Sequence, residues 1–137
     1  MGFVYADITL TNAVDEANAL RGIIDESNIR QTTLTAMVDT GAGNLVINEE
    51  IRELLGLEIK ATRQAELADG SLKKYTLTEP ISVQWKNRTT ICQAMVLPNT
   101  SEVLLGAIPL EGMDLIVNPL SQELVGAHGE DILHKIK

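Results

Sequence analysis

From Thr35 to Ile47 the chain reads TAMVDTGAGNLVI, an apolar β-branched run that ends on an acid, a hydroxyl and a glycine before turning apolar again. An unpaired carboxylate cannot be buried without a large desolvation cost, so Asp39 has to stand at the end of its strand, where the chain leaves the core. That constraint makes 29–38 a strand entering the core, Asp39–Gly41 a bend, and 44–47 a second short strand. Read from these residues alone, the bend is open to two interpretations. One is a tight turn in which Asp39 accepts backbone N–H bonds and glycine supplies conformational freedom; the other is a site that needs an acid in that place.

The rest of the chain supplies short β-type runs separated by turn signals. Residues 3–12, FVYADITLTN, alternate loosely and predict a strand. Residues 13–28 shift to Ala, Asp, Glu and Asn and read as a connection with room for a helical turn. Asn48 is placed to cap a helix over EEIRELLGL, with Gly56 as its stop, and the acids Glu49, Glu50 and Glu53 suit the positive end and the solvated face of that helix. RQAELADGSLKKYTLT, residues 63–78, places Asp69-Gly70 between two polar alternating runs, a strong hairpin signal with its tip at Ala68–Ser71. A second hairpin is expected in ISVQWKNRTTICQAMVLP, turning at Lys86-Asn87-Arg88 between strands that hold Trp85 and Cys92, both read as packed strand residues. Leu104-Leu105-Gly106 repeats in outline the apolar-to-glycine pattern, Pro109 is pre-set for the first turn of a short helix PLEGM, and DLIVNPLSQELVG reads as strand, Asn-Pro turn, strand. AHGEDILHKIK is left as a tail. These elements predict an all-β, barrel-like domain with one or two short helices.

Composition narrows the function. A chain of 137 residues fits one domain, residues 1–137, with a core of its own. Its formal charge of −8 and scattered Lys and Arg argue against a nucleic-acid partner. No apolar run approaches the ~18 residues of a membrane span, and the first ten residues carry neither a secretory pattern nor, with Ala6 following Gly2, an N-myristoylation pattern. One cysteine, Cys92, precludes an intrachain disulfide and suits a reducing cytoplasm. His128 and His134 lack metal-ligand spacing, and no glycine-rich phosphate loop or nucleophile-elbow string occurs, so neither metal nor cofactor is expected.

The VDTGA segment, the capped helix after it, the Asp-Gly hairpin, the later Leu-Leu-Gly element and the closing DLIV-NP-ELV segment together resemble the retropepsin-like aspartic proteases, in their prokaryotic single-domain form. The likeness runs from the first strand to about Val125. It implies an acid-protease barrel in which Asp39 is the catalytic aspartate, Thr40 braces paired loops, and Gly41 and Ala42 complete the loop. Leu104, Leu105 and Gly106 would pack beneath that loop. The hairpin tip, Ala68, Asp69, Gly70 and Ser71, would be the flap over a bound peptide. The segment GAGN departs from the family pattern by placing Gly43 and Asn44 after Ala42.

Hydrolysis of a peptide needs one group to take a proton from water and another to donate to the carbonyl, which a single carboxylate cannot do at once. The chain holds one D-T-G and no second copy, with Leu105 where a second acid would stand. The resemblance therefore implies a twofold homodimer that brings two copies of Asp39 together for cleavage of a peptide or protein substrate. Two rivals stand beside that reading: a retropepsin-like domain used for dimerisation or peptide binding without turnover, and a β-rich domain whose turn merely looks like the motif.

Overall fold

The computed structural model of the chain describes residues 3–97 and 102–129; the expectations for residues 98–101 and for the tail from 130 onward, with His134, lie outside these. The first strand, β1 (Val4–Asn12), runs antiparallel to β2 (Gln31–Val38), in register from Val4 opposite Val38 to Thr11 opposite Gln31. Between them the expected connection is more ordered than its composition suggested: α1 (Ala13–Leu20) is a two-turn helix, and a 3-10 turn spans Glu26–Asn28. The reason is Asn12, which ends the strand with its backbone and caps the helix with its side chain. Its Oδ1 accepts the Asp15 N–H at 3.0 Å while its Nδ2 donates to Leu55 O at 2.9 Å. Asp15 is buried and takes the Arg30 guanidinium at 2.9 Å, so polar residues that look like solvated loop are one another's partners.

β3 (Leu45–Ile47) leads to α2 (Glu49–Leu54), capped as expected by Asn48, whose Oδ1 accepts the Ile51 N–H at 2.8 Å. Glu49 in its first turn pairs with Arg52, a local helix contact. The Asp-Gly hairpin forms, longer at its start than expected, from β4 (Ile59–Glu66) and β5 (Leu72–Thr78). At its tip Gly70 has φ +85°, a left-handed conformation that a side chain would strain. Asp69 Oδ1 accepts both the N–H and the hydroxyl of Ser71.

β6 (Ile81–Trp85) and β7 (Arg88–Cys92) make the second hairpin, with Trp85 buried and Lys86 lying 4.6 Å from its ring centre. The expected turn residue Arg88 belongs instead to the strand and is one of the most deeply buried side chains, 1% exposed. It is there because the chain at 113–129 returns over β7 and offers carbonyls: Arg88 Nη1 donates to Met113 O and Asp114 O, each at 3.0 Å, and Nη2 donates to Gly129 O. Asp114, itself buried, lies within ion-pair distance and also accepts from His128. Burial pushes the Cys92 thiol up to about 11, in keeping with a packed residue rather than a reactive one.

β8 (Ala94–Val96) leaves that second hairpin to pair with β3 and β5. Next come β9 (Leu104–Leu105) and α3 (Ala107–Gly112), which begins two residues before Pro109. The predicted closing hairpin follows as β10 (Leu115–Asn118) and β11 (Glu123–Gly126), its bend held by Asn118 Oδ1 accepting the Leu120 and Ser121 N–H groups.

Among the described residues nine strands form one sheet in the order β4-β5-β8-β3-β9-β2-β1-β6-β7, and β10–β11 stand apart as a second. The architecture is mostly strand with few short helices, as expected of an all-β domain, yet among the described residues the sheet does not close into the expected barrel. β4 and β7 stand at the two ends of the order and do not pair with each other among the described residues. The core lies beneath the middle of the sheet, where Ile8, Leu10, Leu45, Ile47, Leu105 and Met113 are almost wholly buried. Burying an aliphatic side chain of this size contributes about 1.5–3 kcal/mol. That core fixes the level at which β2 emerges and delivers Asp39.

Candidate active site

β9 is only two residues long, but it sits between β2 and β3. Leu104 and Leu105 run parallel to Met37 and Val38 on one side and antiparallel to Val46 and Leu45 on the other. The apolar-glycine element thus fills the gap that the bend at Asp39 opens between its two strands. The backbone completes the join. Asp39 N–H donates to Leu105 O at 3.0 Å, Ala107 N–H to Ala42 O at 2.8 Å, and Ile108 N–H to Gly43 O at 2.9 Å.

Gly106 is what permits this approach. A Cβ there would lie 2.2 Å from Asn44 O and 2.7 Å from Ala42 O, both backbone atoms with no freedom to swing away. Gly43 and Asn44, the departure from the family pattern, are part of the same contact: their carbonyls face Gly106 and the first turn of α3. Sequence reasoning missed this role. The resemblance placed Leu104, Leu105 and Gly106 beneath the loop, but nothing in the sequence marked Gly43 and Asn44 as the carbonyls that meet them.

The bend itself is short. Ala42 N–H donates to Asp39 O at 3.1 Å, and Gly41 N–H donates to Asp39 Oδ1 at 3.0 Å, which orients the carboxylate. Asp39 is half-buried while Thr40 and Gly41 are exposed. The Thr40 hydroxyl makes no hydrogen bond among the described residues. Asp39, Thr40, Gly41, Ala42, Leu104, Leu105 and Gly106 are therefore brought together in one place. Ala68, Asp69, Gly70 and Ser71 are not: they form the tip of the β4–β5 hairpin, which among the described residues reaches the bend through β8 and β3, with no hydrogen bond between tip and bend.

Beside the bend an apolar cleft of about 560 Å³ opens between Thr40, α3 and β10, with Ala107, Leu110, Leu115, Ile116 and Val117 in its wall. Ile108 and Ile116 are about half exposed, and Leu120 almost fully. Among the described residues no cluster of His, Cys, Asp or Glu could hold a metal ion, and no helix is long and apolar enough to cross a membrane. One oriented, half-open carboxylate can act as base or as acid in a given step, but not both.

No curated protein matches this chain. The family described as "gag-polyprotein putative aspartyl protease" matches residues 26–111, a span that begins just before β2, includes the Asp39 bend, α2, the Asp-Gly hairpin and β9, and ends within α3. That match takes in more than half of the chain and every residue of the stapled bend. The chain belongs to this retropepsin-like aspartyl protease family.

Proposed function

We propose that the protein is an aspartic endopeptidase that works as a homodimer, with water activated between Asp39 and Asp39 of a second subunit. The observation that carries this reading is the stapled bend: a solitary carboxylate, aimed by the Gly41 N–H and held against Leu105, left half-open at the surface with no second D-T-G in the chain. A twofold axis beside Asp39 supplies the missing acid. Two carboxyl groups about 3 Å apart cannot both ionise, so they share a proton and present base and acid together, the established behaviour of aspartic-protease pairs rather than a quantity obtained from this chain. The apparent pKa values then belong to the pair. In the reaction one carboxylate takes a proton from water as its oxygen attacks the scissile carbonyl, and the other, protonated, donates to the carbonyl oxygen.

The surroundings support the same assembly. Thr40, whose hydroxyl has no partner within the described residues, faces the axis and braces the mate's loop, and the apolar cleft beginning at Thr40 is covered by the second copy. The Ala68–Ser71 tip closes over an extended peptide as a flap. We read the chain as one domain, because a single apolar cluster draws residues from Ala6 to Leu124. The lone thiol, Cys92, suits a reducing compartment such as the cytoplasm.

The test is Asp39→Asn against the unaltered protein, with peptide cleavage followed from pH 4 to 7 and association followed by sedimentation at micromolar concentration. The expected result is loss of ~10³-fold or more in cleavage with the dimer retained, since removal of one acid–base group costs about 10²–10⁴ in rate and here both copies are lost. A chain that sediments only as monomer and cleaves nothing overturns the reading. A dimer that binds peptide without turnover in the unaltered protein establishes the non-catalytic rival instead.

A further inference from the structure

The β4–β5 hairpin runs against the charge of the rest of the protein. Residues 59–78 contain Lys60, Arg63, Lys73 and Lys74 against only Glu66 and Asp69, in a chain whose formal charge is −8. These cations are also uncommitted. Among the described residues elsewhere, Arg30 pairs with Asp15, Arg52 with Glu49 and Arg88 with Asp114, and Lys86 covers Trp85, which leaves Arg21 as the one other cation without an ion pair. The four in the hairpin are exposed and make no ion pair with any described residue. One of the two acids is turned inward on the turn itself, Asp69 accepting from Ser71.

The register puts two of the cations on one face. Arg63 stands opposite Tyr75 and Ala65 opposite Lys73, and residues two apart in a strand share a face, so Arg63, Lys73 and Tyr75 surround the small Ala65. Diagonal neighbours of this kind are about 7–8 Å apart, so the two long cationic side chains act above one face, Arg63 on the outer strand and Lys73 one strand further in. β4 is moreover the terminal strand of the sheet, so among the described residues its outer backbone edge is unpaired and open to an added strand.

Resting on the protease reading, we propose that this hairpin selects acidic peptide segments, with Arg63 and Lys73 as the specificity-determining residues and Lys60 and Lys74 adding to the local field. An extended peptide rich in Asp and Glu supplies both what the edge takes, a backbone ladder, and what the face takes, carboxylates within the field of Arg63 beside it and of Lys73 one strand further in. Nucleic acid offers the charge without the ladder. The competing role for edge cations is protection against edge-to-edge aggregation, which demands charge but no ligand.

The experiment uses the full chain carrying Asp39→Asn, so that bound peptide is not consumed, and measures fluorescence anisotropy with labelled peptides of one length carrying acidic, neutral or basic residues. A single-stranded oligonucleotide is included as a fourth probe. The expected result is that the acidic peptide binds roughly tenfold tighter than the neutral one at low salt, the product of two exposed charge pairs, and that the difference shrinks at high salt. Arg63→Glu with Lys73→Glu reverses the preference, while Arg63→Lys with Lys73→Arg retains it; circular dichroism checks that these exposed changes leave the fold intact. Equal affinity for the three peptides, or a charge-reversed variant that merely aggregates, overturns the proposal, as does oligonucleotide binding at least as tight as that of the acidic peptide. Cleavage by the unaltered chain without charge preference removes the hairpin assignment and leaves the protease standing. Charge-selective binding without any cleavage does the opposite.

Discussion

Gly106→Ala is the sharpest probe of the stapled bend. The added methyl would meet Asn44 O at 2.2 Å, whereas an ordinary carbon–oxygen contact begins near 3.4 Å, so the loop and the start of α3 must separate by about 1.2 Å. The atoms in the way are backbone, and rotamer changes cannot relieve the clash. Overpacking of this kind costs about 1–3 kcal/mol. Separation also stretches the Ala107–Ala42 and Ile108–Gly43 hydrogen bonds, at about 0.5–1.5 kcal/mol each if they are lost. A destabilisation of roughly 2–4 kcal/mol is therefore expected, the lower part of the summed range because relaxation removes either the clash or the bonds but not both in full. Equilibrium urea unfolding measures it, with Gly43→Ala as the control, since a Cβ at Gly43 meets nothing within 4 Å. On the protease reading a displacement of this size at Asp39 also lowers turnover by about 10²-fold, because reacting groups tolerate little misplacement. A Gly106→Ala protein within about 0.5 kcal/mol of the parent, at unchanged urea dependence, would refute the claim that Gly106 sets the spacing of the bend.

Two further outcomes follow from buried polar contacts. Arg88→Ala leaves Asp114 buried and removes the donors to Met113 O and Asp114 O, so a loss of about 3–5 kcal/mol is expected by urea unfolding, with protease nicking in 115–126 as the β10–β11 hairpin detaches. Nicking at the same rate as in the parent would mean that the hairpin is held by its apolar contacts instead. The side-chain hydrogen bond from Arg30, followed by its backbone N–H and charge, outweighs desolvation and holds the Asp15 carboxyl below its ordinary value of 3.8. Because the folded value is the lower one, the stabilisation is present above about pH 4 and is lost as pH falls through the folded value. Asp15→Asn should flatten the acid limb of the stability curve below pH 4, and an unchanged limb in acid titration of unfolding would show that this carboxyl carries none of it.

Local chemistry was legible in the sequence wherever a residue acts on its own neighbours. Asn48 caps α2 because its side chain reaches a backbone N–H three residues on, and Asp69-Gly70 makes a turn because glycine alone is at ease at φ +85°. The Asp39–Thr40–Gly41 bend was legible for the same reason: an acid at the end of an apolar run has nowhere else to go. Arg88 was misread as a turn residue, and the capping by the strand residue Asn12 went unseen, because their partners lie far along the chain, Met113, Asp114 and Gly129 for one and Leu55 for the other. A polar residue whose partner is forty residues away looks like a turn residue until both are in place. Closure of the sheet was likewise beyond the sequence, since alternating strands specify which face is apolar but not whether the first and last of them meet.

The chain by itself determined that it would be built of short strands, that Asp39 would emerge at a strand end, and that it would be the single D-T-G acid, because periodicity and the cost of burying charge act within a few residues. Tertiary structure alone decided that Leu104-Leu105-Gly106 would wedge between the two strands flanking Asp39, and that Gly106, Ala42 and Asn44 would touch. Those contacts join segments some sixty residues apart in the chain, where only the packing of a common core can set the distance between them.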